Sequence, residues 1–297
     1  MTKKFALVLV FALVASLFAV AGDASTANVP KLLRITHHEV KPGKMNAYDN
    51  LVRQVRQAAT AGGANYNWIA ARPITGNGNQ TVFLNFADNY AQIEQSMTSF
   101  YKAADATFKS AEFNTTVADS QAGAEGIVAS LREDLSYRPE KLDIANARTW
   151  EVSILRLKPG TEMDFADMEK ESIELHKRGN IDEHWVTYQV EYGTQGPAFI
   201  FIKALRSLAD LDTDRKEAHK AVFTPAIRRR FSETAKSSIV SEKSTLLNVR
   251  PEISRPSEAL VAANPDFWTV KEPETAVAAK GKKSKTAGVQ PAAMKSE

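Results

Sequence analysis

The sequence contains no cysteine among its 297 residues. This absence excludes disulfide bonds, thiolate metal sites, a cysteine nucleophile and a lipid-modified cysteine. An excess of charge of one sign is also missing, because 38 lysine and arginine residues face 35 aspartate and glutamate residues. A balance this close to neutral does not predict nucleic-acid binding.

The short motifs that mark many catalytic sites are absent as well. The sequence has no GxSxG, Walker, HExxH or GxGxxG pattern. Its five histidines do not follow the spacings of metal ligands, and no acidic cluster accompanies them. The sequence therefore predicts neither a metal site nor a phosphate-binding loop.

One long apolar run is present, from Phe5 to Val20, and two lysines precede it. A run of about 16 residues is short for a membrane-spanning helix, which needs about 20. Ala19-Val20-Ala21 fits the small-x-small rule for signal cleavage. We therefore expect a signal peptide at 1–21, a linker at 22–31, a periplasmic or secreted protein, and no stable membrane span after cleavage. An uncleaved anchor is the alternative.

The sequence repeats its markers at a constant spacing. Three pairs recur 117 residues apart (158−41, 185−68 and 193−76). They are Lys41-Pro42-Gly43 with Lys158-Pro159-Gly160, Trp68 with Trp185, and Gly76 with Gly193. Arg138-Pro139-Glu140 also recurs, as Arg250-Pro251-Glu252. A constant spacing predicts that one domain was duplicated, as repeats at 32–142 and 147–252.

Hydrophobic periodicity predicts the same order of elements in both repeats. In the first repeat a helix is expected at about 45–61, a hairpin turn at 76–79, a helical stretch at about 124–132 and a short last strand near 135–138. Each repeat then has the order β-α-β-β-α-β, a ferredoxin-like unit of the α+β class. We expect the two sheets to cover each other and to close into one intramolecular barrel, with the helices outside.

The segment 253–297 has a different composition. It is rich in alanine, proline, serine and lysine, and its end is basic. Such a composition predicts a disordered, solvated tail. Phe267 and Trp268 are the only aromatic residues of this segment, and their packing against the body is the alternative.

The order of elements, the Lys-Pro-Gly turns, the paired tryptophans and the duplication resemble the dimeric α/β-barrel superfamily. Its members include chlorite dismutase-like haem proteins, dye-decolourising peroxidases, antibiotic-biosynthesis monooxygenases and small stress-response proteins. The segments at 135–139 and 207–212, with the Lys-Pro-Gly turns, more narrowly resemble an uncharacterised group of exported bacterial proteins. The resemblance covers about residues 32–252 and implies the fold of the chain. Because this fold carries many activities, it does not fix one of them.

Strand alternation divides each predicted sheet into two faces. An apolar set that includes Leu33, Ile35, Trp150 and Val152 suits the face toward the helices. The opposite set is polar and aromatic, and we expect it to face the interior of the barrel as a ligand pocket. The candidate ligand-binding residues are Arg34, His38, Trp68, Arg72, Glu151, Trp185, Gln189 and Glu191.

Each candidate also has a structural interpretation. Trp68 and Trp185 recur at one position, which suits a shared packing role. Buried charges are usually paired. Two ion pairs between the repeats are therefore the alternative to a ligand site, Arg34 with Glu151 and Arg72 with Glu191.

The histidines have structural interpretations as well. His38 suits a buried, hydrogen-bonded histidine, and it cannot share a metal ion with His37, because neighbours on a strand point to opposite faces. Haem-binding members of the superfamily use a histidine as axial ligand, and the resemblance offers His219 and His176 for that role. Both stand among charged residues, which indicates the surface. No cofactor is therefore predicted, and haem is the alternative.

These observations predict an exported protein that binds a small apolar or aromatic molecule in or beside the barrel. The alternative is an oxidoreductase of the barrel superfamily, either haem-dependent or a cofactor-free monooxygenase. The expected partner is a small-molecule ligand rather than nucleic acid. The internal pseudo-dimer is compatible with further homo-oligomerisation.

Overall fold

Antiparallel strands close into a single barrel in the computed structural model, which describes residues 29–213 and 215–270. The strands are β1 (Leu32–Val40), β2 (Ile69–Pro73), β3 (Gln80–Ala87), β4 (Gln121–Leu131), β5 (Thr149–Leu157), β6 (Val186–Tyr192), β7 (Ala198–Leu205) and β8 (Ile239–Val249). The predicted signal peptide, residues 22–28 of the predicted linker and residues 271–297 of the predicted tail lie outside the described residues.

Helices connect these strands and cover the outside of the barrel. They are α1 (Met45–Ala61), α2 (Tyr90–Ala103), α3 (Asp105–Lys109), α4 (Ala111–Ser120), α5 (Glu162–Arg178), α6 (Lys216–Val222), α7 (Pro225–Ser238), α8 (Glu258–Ala263) and α9 (Pro265–Trp268). Short 3-10 turns lie at Glu133–Leu135, Pro139–Lys141, Leu208–Asp212 and Pro251–Ile253. Within the described ranges, no helix combines the length and the apolar character that crossing a membrane requires.

The barrel consists of two four-stranded halves joined along two seams. The strand order is β4-β1-β3-β2 in the first half and β8-β5-β7-β6 in the second. At one seam β2 pairs with β8, and at the other β4 pairs with β6. Each strand therefore has a neighbour on both sides, and no sheet edge is left open. The predicted α+β class and the predicted closed barrel are confirmed.

The end of the first half differs from the prediction. The helical stretch expected at about 124–132 is wrong, since these residues belong to β4, which pairs with β1 along its length. Two glycines, Gly123 and Gly126, weaken a helix here, and β1 needs a partner on its second edge. The short strand expected near 135–138 is reduced to a 3-10 turn and an isolated bridge between Tyr137 and Trp185.

Large apolar side chains from all eight strands fill the interior of the barrel. They include Leu33 and Ile35 of β1, Trp150 and Val152 of β5, and Tyr188 of β6. The predicted assignment of faces is therefore inverted, because the apolar set expected beside the helices lies inside the barrel. An eight-stranded barrel is just wide enough for side chains to fill it, so the bulkiest apolar set belongs there.

The opposite face of each half packs against its helices. In the first half, Tyr48 and Val52 of α1 contact Val40 and Trp68. In the second half, Phe165 of α5 packs within a cluster that contains Leu155, Leu157 and Phe199. The residues expected to face the interior therefore lie on the outer face of the barrel, the side on which the helices pack.

Residues 253–270, which were expected to begin the disordered tail, are folded, and some of them belong to the core. Ile253 is fully buried, and Trp268 packs with the interior cluster of the barrel. The Trp268 indole N–H donates to the Ala145 carbonyl oxygen over 2.9 Å. The Arg148 guanidinium lies 3.5 Å from the centroid of the Phe267 ring. The alternative, in which both aromatic residues pack against the body, is therefore the one that the structure shows.

Two tryptophans bind the ends of the opposite halves. Trp68, in the first half, donates its indole N–H to the carbonyl oxygen of Ile253, which follows β8, over 2.8 Å. Trp185, in the second half, donates to the carbonyl oxygen of Leu135, which follows β4, over 3.0 Å. The chain end of each half is therefore held by the tryptophan of the other half.

The turn between β6 and β7 provides a test of one seam. Gly193 has φ +96°, and a Cβ atom there would collide with the carbonyl oxygen of Gly126 on β4. Gly76, in the corresponding turn of the first half, has φ +86° but no heavy atom within 4 Å of such a Cβ. We expect Gly193→Ala to lower the free energy of unfolding by about 1–3 kcal/mol more than Gly76→Ala does. Both variants carry the strain of alanine at positive φ, so only the collision distinguishes them.

Urea unfolding followed by circular dichroism measures this difference. Equal losses in the two alanine variants would contradict the close approach of this turn to β4.

Candidate functional site

A cavity of about 320 Å³ lies between the outer face of the first half and helices α1, α2, α3 and α4. We call it the outer pocket. Most of its lining is apolar or aromatic, from Leu51, Val52, Val55, Tyr66, Trp68, Phe83, Met97, Phe100, Tyr101, Phe108, Phe113 and Val117. Alternate residues of β1 supply its polar floor, which consists of Arg34, Thr36 and His38. Of the predicted candidates, the structure brings Arg34, His38 and Trp68 together here.

A chain of hydrogen bonds fixes Arg34. Its Nη1 donates to the Tyr66 hydroxyl over 2.8 Å, and that hydroxyl donates to Asn85 Oδ1 over 3.0 Å. The Asn85 amide nitrogen in turn donates to the Asn67 carbonyl oxygen over 2.6 Å. Burial raises the pKa of Tyr66, so the hydroxyl keeps its proton. In the part of the chain that the structure describes, no carboxylate forms an ion pair with Arg34.

His38 is held in a neutral state. Burial, with smaller contributions from Arg34 and His37, lowers the pKa of His38 to about 4. The Tyr48 hydroxyl lies 2.6 Å from Nδ1, and burial raises the pKa of Tyr48, so this hydroxyl stays protonated. Tyr48 therefore donates to Nδ1, and the remaining proton of the neutral ring lies on Nε2. His38 then offers an N–H donor.

Thr36 adds a third polar group to the floor. Its hydroxyl oxygen is buried and has no hydrogen-bond partner in the described residues. Buried hydroxyl groups are rarely left without a partner, and Thr36 belongs to the lining of the outer pocket. No aspartate or glutamate lines the outer pocket among the residues described. The floor therefore carries one cation and two neutral groups able to donate.

Aromatic rings form the walls above this floor. The ring centroids of Tyr66 and Phe100 lie 4.8 Å apart, and those of Trp68 and Phe100 lie 5.9 Å apart. Because the Trp68 N–H already donates to Ile253, the indole contributes its apolar surface to the wall. Helix α2 supplies Phe100, and the Asn89 side chain caps this helix by accepting from the Gln92 backbone N–H. The walls suit a flat aromatic molecule.

A second cavity of about 240 Å³ adjoins the outer pocket. The two cavities share Arg34, Tyr66, Trp68 and Asn85. The hydrogen-bonded side chains of Arg34, Tyr66 and Asn85 therefore border both spaces.

The remaining candidates of the first half and the seam do not line the outer pocket. Arg72 forms an ion pair with Asp49 of α1. Gln189 accepts from Arg132 over 2.7 Å, and Glu191 accepts from the Ser130 hydroxyl.

In the second half, Glu151 lies 3.6 Å from the Lys203 ammonium. The predicted ion pairs of Arg34 with Glu151 and of Arg72 with Glu191 are therefore not formed.

A second group of polar residues lies under the helices of the second half. His176 of α5, Glu183 before β6 and His219 of α6 place one ligand atom each within 4.8 Å of one another. His176 Nε2 lies 3.3 Å from Glu183 Oε2, and the hydrogen bond from His176 lowers the pKa of Glu183 to about 2. Trp185 packs its ring against His176, at 4.9 Å between centroids. We call these three residues the His-Glu-His cluster.

This cluster corrects one prediction. His176 was expected at the surface, but it is buried, while His219 is about one third exposed. The sequence predicted no metal site, because the three residues are not near enough in sequence to show a ligand spacing. Helices α5 and α6 pack side by side, and this contact brings the imidazoles together.

The cluster does not fit haem, the alternative cofactor. The Nε2 atoms of His176 and His219 both face Glu183. The adjacent surface groove is polar and is lined by Glu183, Leu211, Asp212, Thr213, Arg215, Lys216 and His219. An axial histidine of haem has to present its nitrogen to a broad, flat ring. Such a ring would displace Glu183 from both imidazoles.

Several residues of both sites are not among the predicted candidates. They are Tyr48, Tyr66 and Asn85 at the outer pocket and Glu183 in the His-Glu-His cluster. These residues meet their partners across different strands and helices. Such a contact leaves no local signal in the sequence, so it is visible only in the structure.

No protein-family model and no curated protein matches the sequence. Solved structures similar to this chain include an anthrone oxidase-like protein, at 11% identity and a TM-score of 0.47, over 76% of this chain and 93% of that one. A candidate monooxygenase from Fusobacterium nucleatum is similar at 12% identity and a TM-score of 0.45, over 75% and 93% of the two chains. A heme-binding protein from Thermus thermophilus is similar at 10% identity and a TM-score of 0.38, over 79% and 98%. The activities in these descriptions belong to the proteins named.

Proposed function

We propose that the protein binds a small aromatic molecule in the outer pocket through an anionic or hydrogen-bond-accepting oxygen. One observation carries this proposal: a buried floor of donors lies beneath aromatic walls. Aromatic acids, phenolates and quinones all combine a flat apolar body with such an oxygen. Ligand pockets of this kind commonly pair apolar walls with a few convergent polar groups.

The positive charge of the floor favours a ligand whose polar end is an anion. Arg34 forms no ion pair with a described carboxylate, and its Nη1 is held by the neutral Tyr66 hydroxyl. Burying an unpaired charge is costly, so an anion beside Arg34 would lower the free energy of this site. Hydrogen bonds to charged groups are stronger than those between neutral groups. Thr36 and the His38 Nε2–H add neutral donors beside the same position.

The space limits the size of the ligand. The outer pocket, at about 320 Å³, lies at the lower end of the range for small-molecule sites. One to three fused rings therefore suit it better than a larger macrocycle. Trp68 and Phe100 offer ring surfaces for stacking.

A second candidate function is oxidation of the bound molecule. The same floor favours it, because a cation and two donors stabilise a phenolate or enolate relative to its neutral form. Such an anion gives up electrons more readily than the neutral molecule. Dioxygen would serve as the oxidant, and the residues of the floor would hold the ionised substrate. For a ring methylene the balance is CH2 + O2 → C=O + H2O.

Binding is tested with 1-naphthoate and with uncharged 1-methylnaphthalene, followed by quenching of tryptophan fluorescence. We expect Arg34→Met to weaken 1-naphthoate binding by about 10- to 100-fold, since a charged hydrogen bond is lost. Binding of 1-methylnaphthalene should change by less than about threefold, because the aromatic walls remain. Arg53→Met is the matched control, since this arginine of α1 bonds Asn50 at the surface. Equal weakening of both probes would contradict the role of the floor.

Oxidation is tested with anthrone, whose ionised form carries the required oxygen anion on three fused rings. We expect the wild-type protein to raise oxygen uptake at least about tenfold above the uncatalysed rate, and Arg34→Met to abolish that increase. An oxygen electrode and the absorbance of the quinone product measure it. If 1-naphthoate binds but oxygen uptake stays at the uncatalysed rate, the binding function is supported and the oxidation function is contradicted.

The state of His38 predicts a pH dependence of stability. Its pKa falls from 6.5 to about 4 on folding. Between these values the unfolded chain binds a proton that the folded chain does not bind, so the free energy of unfolding decreases as the pH falls from 6.5 toward 4. We expect His38→Gln to lose stability less steeply than wild type over this window.

Urea unfolding at about pH 7, 5.5 and 4.5 measures both slopes. The other histidines contribute equally to the two proteins and cancel in the comparison. Parallel curves would show that His38 is not held neutral by its surroundings.

A further inference from the structure

The His-Glu-His cluster is separate from the outer pocket and has its own access to solvent. Side-chain exposure is 6% for His176, 20% for Glu183 and 34% for His219. The cluster is thus closed on the side of α5 and open on the side of α6. A surface groove of about 530 Å³ borders Glu183 and His219 on the open side.

We propose that this cluster binds one divalent transition-metal ion through His176 Nε2, the Glu183 carboxylate and His219 Nε2. Two imidazoles and one carboxylate, without a thiolate, suit Zn²⁺, Co²⁺ or Fe²⁺ rather than Ca²⁺ or Mg²⁺. Three protein ligands leave a further position for water or for a molecule from the groove. Structural zinc sites use four protein ligands, so this arrangement is of the catalytic type.

The distances fit one ion. His176 Nε2 lies 3.3 Å from Glu183 Oε2, and His219 Nε2 lies 3.9 Å from Glu183 Oε1. Ligands at about 2.0–2.2 Å from a tetrahedral ion lie about 3.3–3.6 Å from one another. The three ligand atoms lie within 4.8 Å of one another, so the widest separation has to close by up to about 1.5 Å when an ion binds. The partial exposure of His219 at the surface permits that movement.

The surroundings orient the two imidazoles. His176 Nδ1 donates to the Ser172 carbonyl oxygen over 2.7 Å, so Nε2 faces Glu183 and can bind an ion once its own proton is released to solvent. Metal-binding histidines commonly donate their second nitrogen to a carbonyl or a carboxylate in this way. The ring of His219 stacks on Phe223, at 5.4 Å between centroids and 27° between planes. Both ligands are thus held in place by packing and by backbone.

A structural ion-pair network is the competing explanation of the cluster. A change of Arg215 separates this explanation from a metal site. The Arg215 Nε lies 3.8 Å from Glu183 Oε1 and donates to the Asp182 carbonyl oxygen over 2.6 Å. A positive charge this close repels a metal ion and competes for the carboxylate. Removing it should tighten metal binding. In a cluster that serves only as an ion-pair network, the same change would create no affinity for metal.

The test uses the full chain without a polyhistidine tag, treated with chelator and then titrated with Co²⁺, whose visible absorption reports coordination. We expect one ion per chain, and displacement by Zn²⁺. Glu183→Gln and His219→Ala should each weaken Co²⁺ binding at least about tenfold, since each removes a ligand. Arg215→Gln should strengthen binding about threefold or more. His37→Gln is the matched control, because it removes a histidine outside the cluster.

The Co²⁺ titrations test the metal site independently of the outer pocket. No Co²⁺ absorption with wild type, or equal affinity in His219→Ala and His37→Gln, would overturn the metal site. His176→Ala removes a buried side chain and is expected to destabilise the fold. His219→Ala and Glu183→Gln therefore carry the test, with circular dichroism confirming that both are folded.

Discussion

The pairing of β2 with β8 and of β4 with β6 is the constraint on which the rest of the structure depends. Each four-stranded half would otherwise leave two edges of unpaired backbone groups and one large apolar face exposed. Closing both seams pairs those edges and encloses the apolar face. It also fixes the number of strands at eight, and the interior of such a barrel is occupied by side chains. Space for a ligand is therefore found on the outer face, beneath the helices.

The two halves use this outer face differently. Three positions that are related by 117 residues (155−38, 165−48 and 183−66) differ in chemistry, namely His38 and Leu155, Tyr48 and Phe165, and Tyr66 and Glu183. In the first half the polar members border a cavity. In the second half Leu155 and Phe165 pack within one apolar cluster, and Glu183 meets two histidines. A few side chains at corresponding positions thus separate a cavity with a polar floor from a cluster of metal-ligand type.

The order of the elements could be predicted from the sequence because it depends on local signals, such as alternation, helical spacing and the turns at Gly43 and Gly76. Alternation also showed that Arg34 and His38 share a face. It could not show which face is the interior, since that depends on how much volume an eight-stranded barrel encloses. The role of 124–132 as a strand depends on the free edge of β1, and the His-Glu-His cluster depends on the contact between α5 and α6. These are properties of the assembled fold, which local periodicity does not contain.

The crossed hydrogen bonds of the tryptophans have a consequence for how the chain holds together. Trp68 binds the segment that ends the second half, and Trp185 binds the segment that ends the first. Each half thus supplies part of the other's structure, in the manner of two protomers that exchange their ends. The connection at 143–148 is therefore joined by further links between the halves, because the strands of both seams and the hydrogen bonds of both tryptophans also connect them.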